Sequence, residues 1–164
     1  LWARWIWTCF ASMTFRLFAL TESCASGTDI LEHLKRCDLR YCPPLSDRVD
    51  LLAYSNKLHQ QSVCFEAWGD GVLIGLVAAY FNTDEGKVFV SNVSVDLNFS
   101  GRGVSDILMN MLMVRAMSLG ISQINLRVSS INESARRFYE RHGFFIFDAA
   151  TSEFMMRLEF SKRV

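Results

Sequence analysis

The feature that most constrains the fold is a glycine turn between a strand-like segment and a helix-like segment. Residues 100–105 read Ser-Gly-Arg-Gly-Val-Ser, after an apolar β-like run from Val88 to Val95 and before an amphipathic helix that begins near Val104. Such a turn points backbone N–H groups and the positive end of the helix dipole at one spot, which favours phosphate. The same two glycines are also typical of a tight turn that binds nothing, because glycine readily adopts a positive φ.

The turn matches neither of two common phosphate-binding motifs. No Gly-Lys-Ser/Thr follows, so it is not a Walker loop, and the third glycine of the dinucleotide fingerprint is missing. The functional interpretation is therefore an enzyme that binds a phosphate-bearing cofactor through a turn that matches neither of these motifs.

A second motif lies downstream of the next predicted strand. Residues 132–144 read Asn-Glu-Ser-Ala-Arg-Arg-Phe-Tyr-Glu-Arg-His-Gly-Phe. With Val93-Ser94-Val95 and the glycine turn, this segment resembles the GCN5-related N-acetyltransferase (GNAT) family. The family pattern is Val-x-Val, then Gln/Arg-x-x-Gly-x-Gly/Ala opening a helix, then a strand and Asn-x-x-Ala-x-x-x-Tyr-x-x-x-Gly-Phe. The resemblance covers about residues 88–145.

Two positions depart from the family pattern. Ser100 stands where the family has Gln or Arg, and Ser105 stands where it has Gly or Ala, whereas Gly103 is kept. The change at position 100 removes one polar contact to a pyrophosphate, and Arg102 is close enough in sequence to supply charge.

The resemblance implies an α+β fold of the acyl-CoA N-acyltransferase type. This is an α/β/α sandwich around a mixed, mostly antiparallel sheet whose fourth and fifth strands splay apart. It implies acetyl-CoA as cofactor and no metal. The residues it assigns to the cofactor are Val93, Ser94 and Val95 on the fourth strand, Ser100, Gly101, Arg102, Gly103, Val104 and Ser105 on the turn, and Asn132, Ser134 and Ala135.

Two residues of the second motif each have two interpretations. In the family the tyrosine corresponding to Tyr139 is the general acid that protonates the CoA thiolate, but a tyrosine on this helix face is also an ordinary core aromatic. Asn132 is a favoured helix N-cap, and the resemblance adds a pantetheine contact.

The general base is not assigned. Phe89 stands where many family members carry a glutamate on the fourth strand, and it cannot take a proton. Ser91 and Asn92 are candidates to hold a relaying water. The other acids considered are Glu66, Asp84 and Glu85, of which the last two lie in a predicted turn.

Composition indicates one folded domain. The chain has 164 residues, of which 51% are hydrophobic and 13% aromatic, with a formal net charge of zero. The neutral balance argues against nucleic acid as a partner. Five cysteines without a Cys-x-x-Cys pair predict reduced thiols in a cytoplasmic protein. His33, Cys37 and Cys42 lack a zinc spacing, so a metal site is not expected.

Residues 1–12 are rich in tryptophan and carry no motif. Arg4 precedes an apolar run that is too short to span a bilayer, so no membrane association is expected. We expect this segment to be an extension outside the fold, followed by a single acetyltransferase domain over residues 13–164.

Periodicity predicts the remaining elements. A capping box at Asp29 and Glu32 begins the first helix, and Ser46 caps a second helix that runs to about Gln61. The predicted strands are Thr14–Leu20, Val63–Trp68, Val72–Tyr80, Lys87–Val95, Ile121–Val128, Phe144–Phe147 and Glu153–Glu159, and the later helices begin at Val104 and Asn132.

These observations favour an N-acetyltransferase that acts on a primary amine of a small molecule. The acceptor pocket is expected among the first two helices, the Tyr41–Ser46 loop and the fourth and fifth strands. An amino sugar is one possible acceptor, and a homodimer stays open. The alternative is an acyl-CoA-binding sensor or interaction domain that has lost turnover.

Overall fold

The computed structural model describes residues 18–160. Residues 1–12 and most of the predicted strand Thr14–Leu20 lie outside this part of the chain. In chain order the elements are β1 (Ala19–Glu22), α1 (Gly27–Cys37), α2 (Leu51–Gln61), β2 (Val63–Gly69), β3 (Val72–Asn82), β4 (Lys87–Val95), α3 (Val104–Ser118), β5 (Gln123–Ser129), α4 (Glu133–Arg141), β6 (Phe145–Ala149) and β7 (Glu153–Glu159).

The seven strands form one sheet in the order β1-β2-β3-β4-β5-β7-β6. Every neighbouring pair is antiparallel except β4 and β5, which are parallel. The predicted mixed, mostly antiparallel sheet is therefore confirmed.

Helices cover both faces of the sheet, and β3 shows why. Its alternate residues Leu76 and Ala78 pack with α1 and α2, whereas Val77 and Ala79 pack with α3 and α4. A strand covered on both faces reads as a continuous apolar run rather than as an alternating one. At Gly75 an added Cβ would lie 2.7 Å from a methyl carbon of Val104, so glycine lets α3 approach the sheet closely. The predicted α/β/α sandwich is confirmed.

The fourth and fifth strands separate along their length. Lys87–Val90 pairs with Gln123–Leu126, and the pairing stops there although both strands continue. In the register with β3, Ala78 pairs with Asn92 and Ala79 with Val90, so Ser91 is an extra residue that forms a β-bulge. Bulges bend the strand that carries them, which is consistent with the separation of β4 from β5.

Two predicted helix starts were wrong in detail. The capping box of α1 lies three residues earlier: Ser26 Oγ accepts from the Asp29 N–H, and the Asp29 carboxylate accepts from the Ser26 N–H. The N-cap of α2 is Asp50, whose carboxylate accepts from the Ala53 N–H. Ser46 does not cap a helix, because its own N–H and hydroxyl both donate to Asp38.

Residues 18–160 contain neither a helix suited to span a membrane nor a cluster of metal-ligating side chains. No helix in this range is long and apolar enough to cross a membrane, and no group of three or more His, Cys, Asp or Glu is placed to hold a metal ion. The four cysteines in the range are free thiols.

Candidate active site

A cavity of about 590 Å³ opens where β4 and β5 separate. Its walls come from the α1–α2 connection, the open end of β4, the glycine turn, β5 and α4. Of the residues that the sequence predicted for the cofactor or for catalysis, all but Arg102 line it: Val93, Ser94, Val95, Ser100, Gly101, Gly103, Val104, Ser105, Asn132, Ser134, Ala135 and Tyr139.

The glycine turn forms an open cradle at the N-terminus of α3. Gly101 and Gly103 have φ of +73° and +75°, and no atom lies within 4 Å of the Cβ that either would carry. Gly103 is the N-cap and provides no side-chain acceptor, and the first backbone bond of the helix is from Ile107 N–H to Gly103 O. The first-turn N–H groups are thus left to a ligand, so this end of the cavity fits a pyrophosphate.

The two arginines closest to the turn point in different directions. The Arg102 guanidinium lies over the ring of Phe99, 5.3 Å from its centre, and is outside the cavity lining. Arg40, in the short helical turn that follows α1, lines the cavity, and its Nη2 donates to Ser100 Oγ at 3.1 Å. Sequence alone does not point to Arg40, because nothing local connects it to a turn 60 residues away.

The open edge of β4 supplies the wall next to the turn. Residues 92–95 pair with β3 on one side and, within residues 18–160, have no β-strand partner on the other. Such an edge offers backbone donors and acceptors to an extended ligand, and the amide-bearing pantetheine arm of CoA has that form. At the facing helix, Asn132 is the predicted N-cap, since its side chain accepts from the Ala135 N–H at 3.0 Å. Its contact with pantetheine stays a prediction.

Tyr139 has its ring in the core and lines the cavity. It lies in the last turn of α4, where a positive-φ Gly143 allows Phe144 N–H to donate to Tyr139 O, and the two rings pack 5.8 Å apart. Burial raises the pKa of Tyr139. Its hydroxyl makes no hydrogen bond within residues 18–160. The core and catalytic interpretations are therefore compatible.

A buried network of hydrogen bonds supports the wall of the cavity that is formed by β4 and the α1–α2 connection. His33 Nδ1–H donates to Leu73 O, because a carbonyl can only accept, so His33 Nε2 accepts from the Ser94 hydroxyl, each at 2.9 Å. Ser94 Oγ then accepts from the Asn92 amide, and Tyr41 O–H donates to Asn92 Oδ1 at 2.6 Å.

This hydrogen-bonded network holds the side chains that form it in position. Burial lowers the pKa of His33 to about 4, which keeps its ring neutral, and burial raises the pKa of Tyr41. The bonds of Asn92 are taken up within the protein, which leaves it poorly suited to hold a relaying water.

The acidic residues do not supply an unpaired base. Glu66 is fully buried outside the cavity and accepts from the Thr21 hydroxyl and the Cys24 and Ala25 N–H groups. Asp84 and Glu85 also lie outside the lining. In the described part of the chain the only carboxylate that lines the cavity is Asp106, 3.4 Å from His142 Nε2 and 4.0 Å from the Arg141 guanidinium.

Positive charge dominates the lining. Arg40, Arg48, Arg127 and Arg141 all reach it. Arg127 faces Glu153 at 3.4 Å and Arg141 faces Asp106, whereas Arg48 has no ion pair within residues 18–160. Arg48 lies close enough to Tyr54 for its charge to act on that phenol, and the Tyr54 hydroxyl contacts the bulge residue Ser91. Among the lining arginines, Arg40 and Arg48 thus have no ion pair within residues 18–160, and Arg48 lies in the α1–α2 connection, where the acceptor pocket is expected.

Comparison with known proteins identifies relatives of two kinds. The N-acetylaspartate synthetase of Xenopus tropicalis is 34% identical over 116 residues, which is 70% of this chain and 40% of that protein. The protein of the same name in Danio rerio is 31% identical over 104 residues, 63% of this chain and 36% of that protein. This chain therefore spans about two fifths of the length of these curated relatives.

Solved structures show the same fold at low sequence identity. The PaiA N-acetyltransferase from Thermoplasma acidophilum, in complex with coenzyme A, has a TM-score of 0.69 at 14% identity, covering 87% of this chain and 99% of that one. The ribosomal-protein-S18-alanine N-acetyltransferase from Escherichia coli has a TM-score of 0.71 at 13% identity, covering 90% and 99%.

The family itself is matched over most of the domain. The model described as "Acetyltransferase (GNAT) family" matches residues 28–144, which include both motifs and every wall of the cavity. Acetyl-CoA, the co-substrate of that family, fits the phosphate cradle and the open edge of β4. This chain therefore belongs to the GNAT family of N-acetyltransferases, as its two motifs predicted.

Proposed function

We propose that this N-acetyltransferase moves the acetyl group of acetyl-CoA to the amine of a small acidic amino acid of the aspartate type. The observation that carries the proposal is Arg48, a cation of the α1–α2 connection that lines the cavity and has no ion pair within residues 18–160. A guanidinium binds a carboxylate through two parallel hydrogen bonds, which gives both affinity and orientation. The two curated relatives named N-acetylaspartate synthetase support the same class of acceptor.

An amino sugar fits this wall less well. Its hydroxyl groups are neutral, and carboxylates and amide oxygens that accept from them are the usual partners. Here the sole lining carboxylate of the described residues already faces Arg141 and His142, and the Asn92 amide is bonded to Tyr41 and Ser94. The charges of the cavity therefore favour an anionic acceptor.

Different residues of the cavity bind different parts of the cofactor and the acceptor. The glycine turn and the α3 N-terminus bind the pyrophosphate of the cofactor, and the open edge of β4 aligns its extended arm. Acetyl-CoA supplies the activated carbonyl and a thiolate leaving group. Arg48 holds the acceptor by its carboxylate so that the amine faces the carbonyl.

Tyr139 is the proposed general acid. Because burial raises its pKa, the hydroxyl stays protonated at neutral pH and has its proton available for the sulfur. Its lack of a hydrogen-bond partner within residues 18–160 leaves the proton free to be donated. With no unpaired carboxylate in the lining of the described residues, we propose that the acceptor ammonium loses one proton to solvent water before it attacks the carbonyl. The second nitrogen proton, released as the C–S bond breaks, passes through water and restores the Tyr139 hydroxyl that protonated the sulfur.

A thiol-release assay with a panel of amines tests the acceptor. Aspartate is expected to react fastest, ahead of glutamate, alanine, glucosamine and spermidine. Arg48→Ala should raise the KM for aspartate about tenfold, in line with the loss of one charge-assisted hydrogen-bonded pair. The dissociation constant for CoA should not change.

Two results would contradict the proposal in different ways. Faster turnover of glucosamine than of aspartate would replace the acidic acceptor by an amino sugar. CoA binding without turnover of any amine in the panel would favour the sensor domain.

A further inference from the structure

We propose that Arg40 is a cofactor-binding residue that brings a positive charge from the α1–α2 connection to the pyrophosphate of acetyl-CoA. This inference concerns the cofactor and is independent of the identity of the acceptor. Arg40 lies in the α1–α2 connection, which is expected to bind the acceptor, and it also contacts the glycine turn that is expected to bind the cofactor.

The position of Arg40 is the first observation. Its Nη2 donates to Ser100 Oγ at 3.1 Å, and both residues line the cavity beside the glycine cradle. A guanidinium carries five N–H donors, so a single bond to a serine hydroxyl leaves others for a phosphate oxygen. Ser100 holds the guanidinium at the edge of the cradle without neutralising it.

The charge balance at this end of the cavity is the second observation. The cradle offers N–H groups and a helix dipole but no cationic side chain of its own, because Arg102 turns out of the lining onto Phe99. The only acidic side chain in the first turn of α3 is Asp106, which faces Arg141 and His142. A pyrophosphate carries two negative charges, so the neutral cradle leaves charge for Arg40 to balance.

Direct binding measurements on the full chain test this role. Calorimetry should show that Arg40→Ala weakens CoA binding about tenfold. This loss of affinity is at the lower end of the range expected for a charge-assisted hydrogen bond, because the guanidinium is exposed. Dephospho-CoA, which keeps the pyrophosphate, should lose affinity by the same factor. Binding of pantetheine, which lacks it, should not change.

Two further variants control the comparison. Lys35→Ala removes one positive charge from an exposed position on α1 outside the cavity, and it should leave CoA affinity unchanged. The double variant Arg40→Ala/Ser100→Arg removes the guanidinium at position 40 and introduces one at position 100, the residue that Arg40 contacts in the wild type. This variant should recover most of the lost affinity.

Three results would overturn the assignment. CoA affinity within twofold of wild type in Arg40→Ala would show that the Ser100 contact is only a surface hydrogen bond. A loss for CoA but not for dephospho-CoA would move the contact to the 3′-phosphate. An equal loss for pantetheine would show that the substitution disturbs the cavity as a whole. Because each readout is binding, failure of the proposed acceptor leaves this test unaffected.

Discussion

Tyr139 joins a structural and a chemical role in one side chain. Its ring packs between Phe138 and Phe144, and the residue lines the cavity at the site expected for the cofactor sulfur. The two roles are separable because only the hydroxyl is needed for acid catalysis. Substitution by phenylalanine keeps the ring and removes the proton donor.

We expect Tyr139→Phe to lower kcat by about 10²-fold or more, as for a positioned general acid, with CoA affinity within twofold of wild type. Because burial raises the pKa of Tyr139 above its ordinary value of 10, the wild-type rate should not fall on the alkaline side below about pH 10. Tyr80→Phe is the matched control, since within residues 18–160 that hydroxyl likewise has no hydrogen-bond partner, but it lies outside the cavity. Full activity in both variants would remove Tyr139 from the mechanism.

His33 makes the stability of the fold depend on pH. Its folded-state pKa of about 4 lies below the ordinary 6.5, so the unfolded chain binds the proton more tightly. The stabilisation is fully present above pH 6.5 and is lost as the pH falls through 4. The shift predicts a fall of about 3 kcal/mol in the free energy of unfolding across that window.

Denaturant titrations at several pH values check this dependence. His33→Gln keeps a donor for Leu73 and an acceptor for Ser94 but does not titrate, so its fall in unfolding free energy from pH 7 to 4 should be smaller than that of wild type. His59→Gln, at an exposed histidine, should keep the wild-type fall. Parallel curves for wild type and His33→Gln would show that His33 is not held neutral.

At the scale of elements, periodicity identified the helices and strands but not every boundary. Ser26, Asp29 and Glu32 are spaced three residues apart, so the sequence allows two capping boxes, of which the one formed by Ser26 and Asp29 begins the helix. Ser46 is a favoured N-cap type, and only the tertiary contact with Asp38 shows that its donors are used elsewhere.

A matched pair of glycine substitutions can separate the backbone strain of a valine in the glycine turn from its effect on cofactor binding. Gly103 and Gly71 have nearly the same φ, +75° and +76°, and neither has an atom within 4 Å of an added Cβ. Gly71 lies in the β2–β3 hairpin outside the cavity lining. Valine at either position should therefore cost a similar 1–3 kcal/mol of backbone strain, on the order usual for a non-glycine residue in this region.

Only Gly103→Val should also lose cofactor binding, because its side chain would occupy the space of the phosphate. Thermal melts with and without CoA separate the two effects. At a hundredfold excess over the dissociation constant, CoA should stabilise the wild type and Gly71→Val by about 2.7 kcal/mol. A normal CoA shift in Gly103→Val would show that the pyrophosphate does not lie on the turn.

At the scale of the whole molecule, sequence predicted the individual residues of the cofactor half of the cavity, but only the general location of the expected acceptor half. Most of the cofactor half is contiguous in sequence, because strand, turn and helix follow one another from β4 into α3, and the remainder comes from the second motif at α4. The acceptor half is assembled across the fold: Tyr41 meets Asn92 and Arg40 meets Ser100 only when the α1–α2 connection packs over β4. A single arginine or tyrosine in a loop carries no local signal of such a meeting.

The separation of β4 from β5 also predicts how the cofactor affects the whole fold. The pantetheine arm of the cofactor is expected to act as an additional strand on the open edge of residues 92–95, and its pyrophosphate to cap residues 104–106. Both segments should therefore exchange backbone hydrogens more slowly when CoA is bound, because amides that lack acceptors gain them. Residues 65–68, paired on both sides within the sheet, should change little at short exchange times. Hydrogen-exchange mass spectrometry with and without saturating CoA measures this pattern by peptide. Equal slowing of all three segments would indicate general stabilisation, and protection of residues 104–106 alone would show that the cofactor arm does not follow β4.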